Sequence, residues 1–310
     1  MTRRELKYFS IGLILSFVFA WAMSDFRNNL ENLFYAEISK PFENMVFVQF
    51  PPKEQRVRPD IQARAAISLK LYQSGKEKII FSKNTQQVLP IASLTKLMTG
   101  LVVLENQENY SFPKIVTISE KAASQENVPV FGNFDTGNQF TVQQLLYWML
   151  IYSSNDAAWA LSEIMGTDKF VEKMNQRAQE MGLANTYFIN PTGLEPAYLD
   201  GQEISVDQVN HSTAEDLLRL TRYILENYPF LFSISLEQGP YVAKNGVSNL
   251  FLPDNIKVLG GKTGYTDEAG GCVLLASVNQ KETTFIDIIL GASSSEQRIV
   301  ELQKLINWKR

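Results

Sequence analysis

In the stretch LPIASLTKLMTG, Ser93 and Lys96 stand three apart, just where an apolar helix is expected to begin after Pro90. That offset puts both side chains on one helical face, with their bases about 5–6 Å apart. An ammonium taken out of water beside a hydroxyl gives up its proton more readily and can then act as a base. The serine would also sit at the positive end of the helix, where backbone N–H groups lack internal partners and an oxyanion finds donors. The plainer reading is a helix cap, with the lysine reaching for water. A second Ser-x-x-Lys, Ser111 to Lys114, contains Pro113 in a turn-like stretch, so its side chains need not share a face.

Two further groups carry polar chemistry. YSSNDAA places Ser153 and Asn155 in an expected break between two apolar helices, where a hydroxyl and an amide can be held beside a cleft. Ser82 to Asn84 and Ser277 to Asn279 share the spacing without that setting, and a cap on the following helix is the simpler alternative at 153–155. LGGKTGYTDEAGGC holds Lys262, Thr263 and Gly264 among several glycines. Glycine inside a strand marks close approach of a ligand or another backbone. An ammonium and a hydroxyl on an edge strand suit a carboxylate; a glycine-rich hairpin with an exposed lysine is the bland alternative.

These groups need a frame. ARAAISLKLYQSGKEKIIFSKN alternates apolar and polar residues on both sides of Gln73–Lys76 and reads as a hairpin. The helix from Ser93 has Leu94, Leu97, Met98, Leu101 and Val102 as its buried stripe. Thr141 and Gln144 form a capping box ahead of an almost wholly apolar helix. Two more helices are expected from Asn155 and from Asp168 to Gly182. Another opens on a Ser212–Glu215 capping box and stops at Pro229. GGCVLLASV and TTFIDIILGAS are β-rich, and the carboxyl end from Ser295 is an amphipathic helix. Strands at both ends around a helical middle predict an α+β fold: one antiparallel sheet flanked by helices.

The three motifs occur in the order Ser-x-x-Lys, Ser-x-Asn, Lys-Thr-Gly, the set known from penicillin-binding proteins and class A β-lactamases. With the surrounding PIASLTKLMTG, LLYWMLIYSSNDAAWAL, MGLANTYFINPTGLE, HSTAEDLLRL and GGKTGYTDEAGGC, residues 61–310 resemble the serine D-alanyl-D-alanine carboxypeptidases, or low-molecular-weight penicillin-binding proteins. The resemblance implies a β-lactamase/transpeptidase-like fold with a helical subdomain. It implies a nucleophile at Ser93, a base at Lys96 and a proton relay at Ser153. It places Asn155 on the substrate's peptide amide, Lys262 and Thr263 on its terminal carboxylate, and the Ser93 and Tyr265 N–H groups in an oxyanion hole, with Gly264 as bare backbone between. Arg298 falls where the family often has an arginine near that carboxylate; the alternative is a surface arginine on the last helix. The implied substrate is a peptidoglycan stem peptide ending in D-Ala-D-Ala, with β-lactams as covalent inhibitors and no cofactor. Tyr265 departs from relatives that carry histidine there.

Three other readings stay open. A D,D-endopeptidase uses the same apparatus on cross-links. A class A β-lactamase needs a glutamate in a Glu-x-x-Leu-Asn context, which Glu163, Glu172, Glu180 and Glu195 all lack. An inactive wall-binding protein would keep the fold without turnover.

The chain has 310 residues, a net charge of −4 and no basic run, so a nucleic-acid partner is not expected. With 1 Cys and 1 His it has no intrachain disulfide and too few soft ligands for zinc. Cys272 is expected as a buried thiol, and His211 in a local role before a helix cap. Arg3, Arg4 and Lys7 precede the uncharged run Tyr8–Ser24, which predicts export of the remainder of the chain. Residues 1–24 are then a retained anchor or a signal cleaved near Ala22, leaving the protein at the outer face of the cytoplasmic membrane or secreted. Residues 25–60 read as a juxtamembrane helix and a proline-rich linker, with the domain boundary near Asp60. The sequence ends at Arg310 within the closing helix, so attachment is expected from the amino terminus alone.

Overall fold

In the computed structural model the described residues are 57–125, 132–196, 204–236 and 256–308. The segment 1–24 and nearly all of 25–60 lie outside them. Among the described residues no helix is long and apolar enough to cross a membrane.

The expected hairpin forms from β1 (Ala65–Leu71) and β2 (Glu77–Lys83), with Gly75 at φ +77° in the turn. Short strands β3 (Leu89–Pro90), β4 (Ile115–Thr117), β5 (Gln139–Thr141) and β6 (His211–Ser212) come next, then the long β7 (Ile256–Thr266), β8 (Gly270–Asn279) and β9 (Thr284–Ala292). The main sheet has five strands in the order β2-β1-β9-β8-β7, every pair antiparallel. β3 pairs with β6 and β4 with β5 as two small ribbons that periodicity does not reveal. Three-residue and two-residue strands carry too little alternation to register.

The helices are α1 (Lys96–Glu105), α2 (Glu120–Ala123), α3 (Val142–Ile151), α4 (Asn155–Glu163), α5 (Thr167–Glu180), α6 (Ala214–Asn227), α7 (Pro229–Ile234) and α8 (Gln297–Trp308). Both faces of the sheet are buried. On one, Ala66, Val273, Leu275 and Ile289 meet Leu302, Leu305 and Ile306 of α8. On the other, Ile67, Leu69, Leu274, Ile286 and Ile288 join the core of the helical middle, which includes Leu97 and Leu101 of α1 and Leu217 and Ile224 of α6. Alternate residues of one strand thus serve opposite cores, as the pleat requires.

The structure corrects one cap and adds a short helix after the expected stop at Pro229. Thr213, not Ser212, caps α6: its side chain accepts from Asp216 N, while the Ser212 hydroxyl meets Thr186 Oγ1 at 2.7 Å. Pro229 opens α7 at its first turn, where a missing N–H costs nothing. The Asp60 carbonyl accepts from Lys304 Nζ at 3.0 Å. The Thr141–Gln144 capping box forms as expected, both bonds present. Thr141→Ala removes the side-chain half of it and is expected to cost about 1 kcal/mol in urea unfolding, without change in the folded spectrum.

Candidate active site

Ser93 lies in a tight 3-10 turn, Ala92–Thr95, that runs directly into α1. The turn fixes the geometry of Ser-x-x-Lys, and Lys96 comes out fully buried. Its Nζ is 2.8 Å from Ser93 Oγ, 2.7 Å from Asn155 Oδ1 and 2.7 Å from the Thr192 carbonyl. Burial first, and the charge of Lys262 second, hold the Lys96 amine well below the usual lysine range. A neutral amine has two hydrogens and one lone pair. Asn155 Oδ1 and Thr192 O can only accept, so they take both hydrogens, and the lone pair is left for the serine hydroxyl.

The break after α3 turns on Ser153, at φ +63°. Ser154 caps α4, accepting from Ala157 N, and also donates to the Gly132 carbonyl. The capping reading therefore holds for Ser154, while Asn155, buried in the first turn of α4, points its amide oxygen at Lys96. Ser153 Oγ accepts from Lys262 Nζ at 2.8 Å, and the same amine donates to Thr263 O at 2.8 Å. Burial, and then the charge of Arg298, lower the Lys262 pKa to about 7.

Lys262, Thr263, Gly264 and Tyr265 lie on β7, which is an edge of the sheet among the described residues. A Cβ on Gly264 would come within 2.9 Å of Ser93 N, so only a glycine lets β7 pass the Ser93 backbone this closely. Arg298 is half-buried: its guanidinium donates to the Gly264 carbonyl at 2.7 Å, and its Nε is buried with no partner among the described residues. Two basic side chains thus converge beside the edge strand β7.

The structure brings Ser93, Lys96, Ser153, Asn155, Lys262, Gly264 and Arg298 into one contact network. It leaves the decoys outside. Ser111 and Lys114 are exposed, the lysine donating to Asn109 O. Asn84 and Asn279 hold turns. His211 stacks on Tyr187 and bonds Val209 O, a local role. Cys272 is buried, and that burial raises its pKa to about 11. Of the four glutamates, Glu163 bonds Ser119 and Trp159, whereas Glu195 reaches Thr266 at the end of β7. Sequence reasoning missed the Thr192 carbonyl; the Asn-Pro-Thr-Gly run at 190–193 was its only trace.

Fold and grouping together bring a serine hydroxyl and a buried lysine amine side by side next to β7 of an α+β domain. Residues 52–294 match the peptidase S11 family description, D-alanyl-D-alanine carboxypeptidase. The carboxypeptidase DacF of Bacillus subtilis is 30% identical over 83% of this chain and 65% of its own length, so the chain spans just under two thirds of that relative. A D-alanyl-D-alanine endopeptidase of Pseudomonas aeruginosa is 29% identical over 91% of this chain and 88% of its own. The ampicillin-bound penicillin-binding protein D2 of Listeria monocytogenes superposes with a TM-score of 0.65 at 26% identity, covering 81% of this chain and 98% of that one. The chain belongs to the D-alanyl-D-alanine carboxypeptidase family.

The depressed Lys262 pKa has a thermodynamic consequence. Between about 7 and the ordinary 10.5, the unfolded chain holds a proton that the folded one lacks. Stability therefore rises with pH across that window, by at most about 1.4 kcal/mol per pH unit for this group, and levels off above it. Lys262→Met is expected to flatten that slope in denaturant titrations; equal slopes in both proteins would refute the assignment.

Proposed function

We propose that the protein is an exported serine D,D-carboxypeptidase that removes the terminal D-alanine from peptidoglycan stem peptides. What carries the reading is the fully buried Lys96 amine, 2.8 Å from Ser93 Oγ with both hydrogens engaged elsewhere.

In this mechanism Ser93 Oγ attacks the carbonyl between two D-alanines as its proton passes to Lys96. The developing oxyanion meets the N–H groups of Ser93 and Tyr265. Ser153, on Lys262, relays a proton to the leaving amine, and free D-alanine departs. Water then attacks the ester on Ser93, returning the hydroxyl and releasing a stem peptide shortened by one residue. Asn155 holds the peptide amide, while Lys262, Thr263 and Arg298 face the terminal carboxylate on the bare backbone of Gly264. A β-lactam carries a carboxylate and a strained amide in a similar arrangement and acylates the same serine.

Residues 61–310 are the catalytic domain on this reading. Residues 1–24 deliver it across the cytoplasmic membrane as an anchor or as a signal cleaved near Ala22, with 25–60 as the tether. Alkaline extraction of membranes separates these cases, since only a retained anchor keeps the domain in the pellet.

Purified protein is expected to release D-alanine from a D-Ala-D-Ala pentapeptide and to be labelled by fluorescent penicillin. Ser93→Ala is expected to lower release by at least a thousandfold and abolish labelling; undiminished release would sink the assignment. The Pseudomonas relative favours one further arm, digestion of cross-linked muropeptides, in which cleaved dimers would identify endopeptidase action by the same site.

A further inference from the structure

The Asn-Pro-Thr-Gly turn takes no part in the acyl transfer itself, yet its carbonyl touches the base. We propose that Asn190 is a positioning residue that aims the Thr192 carbonyl at Lys96 and thereby fixes the rotation of the amine. The inference rests on the reading of Lys96 as the base.

Asn190 closes the turn on itself. Its Oδ1 accepts from Thr192 N at 3.1 Å, Thr192 Oγ1 at 3.0 Å and Gly193 N at 2.8 Å, and its Nδ2 donates to Leu194 O at 2.7 Å. Thr192 Oγ1 in turn accepts from Leu194 N at 3.1 Å. The closed turn is bolted to the segment carrying the nucleophile and base. Thr99 Oγ1 donates to Pro191 O at 2.7 Å, and Asn210 Nδ2 bridges Asn190 O at 2.9 Å and Thr95 Oγ1 at 3.0 Å. Gly193 lies so close to Ala92 O that no Cβ would fit between them. Thr95 and Thr99 flank Lys96 in sequence, so the turn is referenced to the helix start from both sides.

Rotation about the Cε–Nζ bond of a neutral lysine has three staggered settings. Two acceptors in fixed places leave one of them, with the lone pair on Ser93. With Thr192 O displaced, Asn155 alone leaves two, and in one of these an N–H faces the serine. That hydroxyl is then an acceptor and cannot hand over its proton. Asn190 touches neither Ser93 nor the amine, so its effect falls on the acylation step and not on substrate affinity.

The test is stopped-flow acylation of the full chain by a fluorescent penicillin, resolved into Kd and the maximal rate, from pH 6 to 10. Asn190→Ala is expected to lower the maximal rate at least tenfold with Kd within twofold of wild type. Asn190→Asp keeps the acceptor and is expected to recover most of that rate. A purely structural role would instead lower the melting temperature and leave the folded fraction with its full rate. Should Asn190→Ala not fold, Thr192→Val removes the hydroxyl contacts at constant shape, with an expected loss of at least threefold. An unchanged maximal rate in whichever variant is folded, or a loss confined to Kd, overturns the proposal while leaving the function intact. A wild type that is not acylated at all removes both.

Discussion

An amine withdrawn from water without a carboxylate to neutralise it is the constraint around which this fold is arranged. Among the described residues no acidic group contacts the Lys96 amine; its partners are a hydroxyl, an amide oxygen and a peptide carbonyl, and a second lysine contributes repulsion. Three neutral acceptors lessen the desolvation cost without restoring the charge, so the balance shifts toward the neutral amine. Each partner comes from a different place in the chain: the 3-10 turn before α1, the first turn of α4 and the 190–193 loop. The helical middle exists, in functional terms, to bring these three together.

The second lysine works against an opposite demand. On the proposed reading Lys262 has to attract a carboxylate, yet it is buried and lies near Arg298, and its pKa settles at about 7. Placing it on β7 resolves the tension. The edge of the sheet is where backbone can be open to a ligand while the other flank stays paired to β8. The sheet also explains Arg298, which reaches β7 from α8 because β8 and β9 carry that helix across their face. The edge thus carries two basic side chains on a rigid support.

Much of this was legible from residue types. The Gln73–Lys76 turn, the apolar stripe of α1 and the capping box at Thr141 each carry a local signature, and each formed. The Ser-x-x-Lys at 93–96 could be preferred over the copy at 111–114 because proline spoils the latter's helix, and the exposed Lys114 bears that out. What escaped has a common cause. Thr192 acts through its carbonyl, which every residue type possesses, so no side chain announces it. The α6 cap moved by one position because Ser212 and Thr213 are chemically equivalent candidates, and only the pairing of β6 with β3 decides which is free to turn inward. Arg298 was ambiguous for a similar reason: an amphipathic helix offers arginine on its rim whether or not a strand end lies within reach.

The strained backbone at the site arises from the same demand. Ala92 sits at φ +46° and Ser153 at φ +63°, conformations that cost a non-glycine residue roughly 1–3 kcal/mol each. Ala92 can hold its setting because glycines press on it from two directions. Gly193 abuts its carbonyl, and Gly264 abuts Ser93 N and the Ala92 side chain. A side chain at either glycine would have to displace backbone, so the turn has nowhere to relax. Ser153 is held differently, by Lys262 on its hydroxyl and by the Ser154 cap and Ser154 N–H to Trp148 O immediately after it. Both serines therefore present their hydroxyls from backbone settings that the surrounding structure imposes. A hydroxyl so fixed has little further freedom to lose in a reaction, and that is the return on the strain.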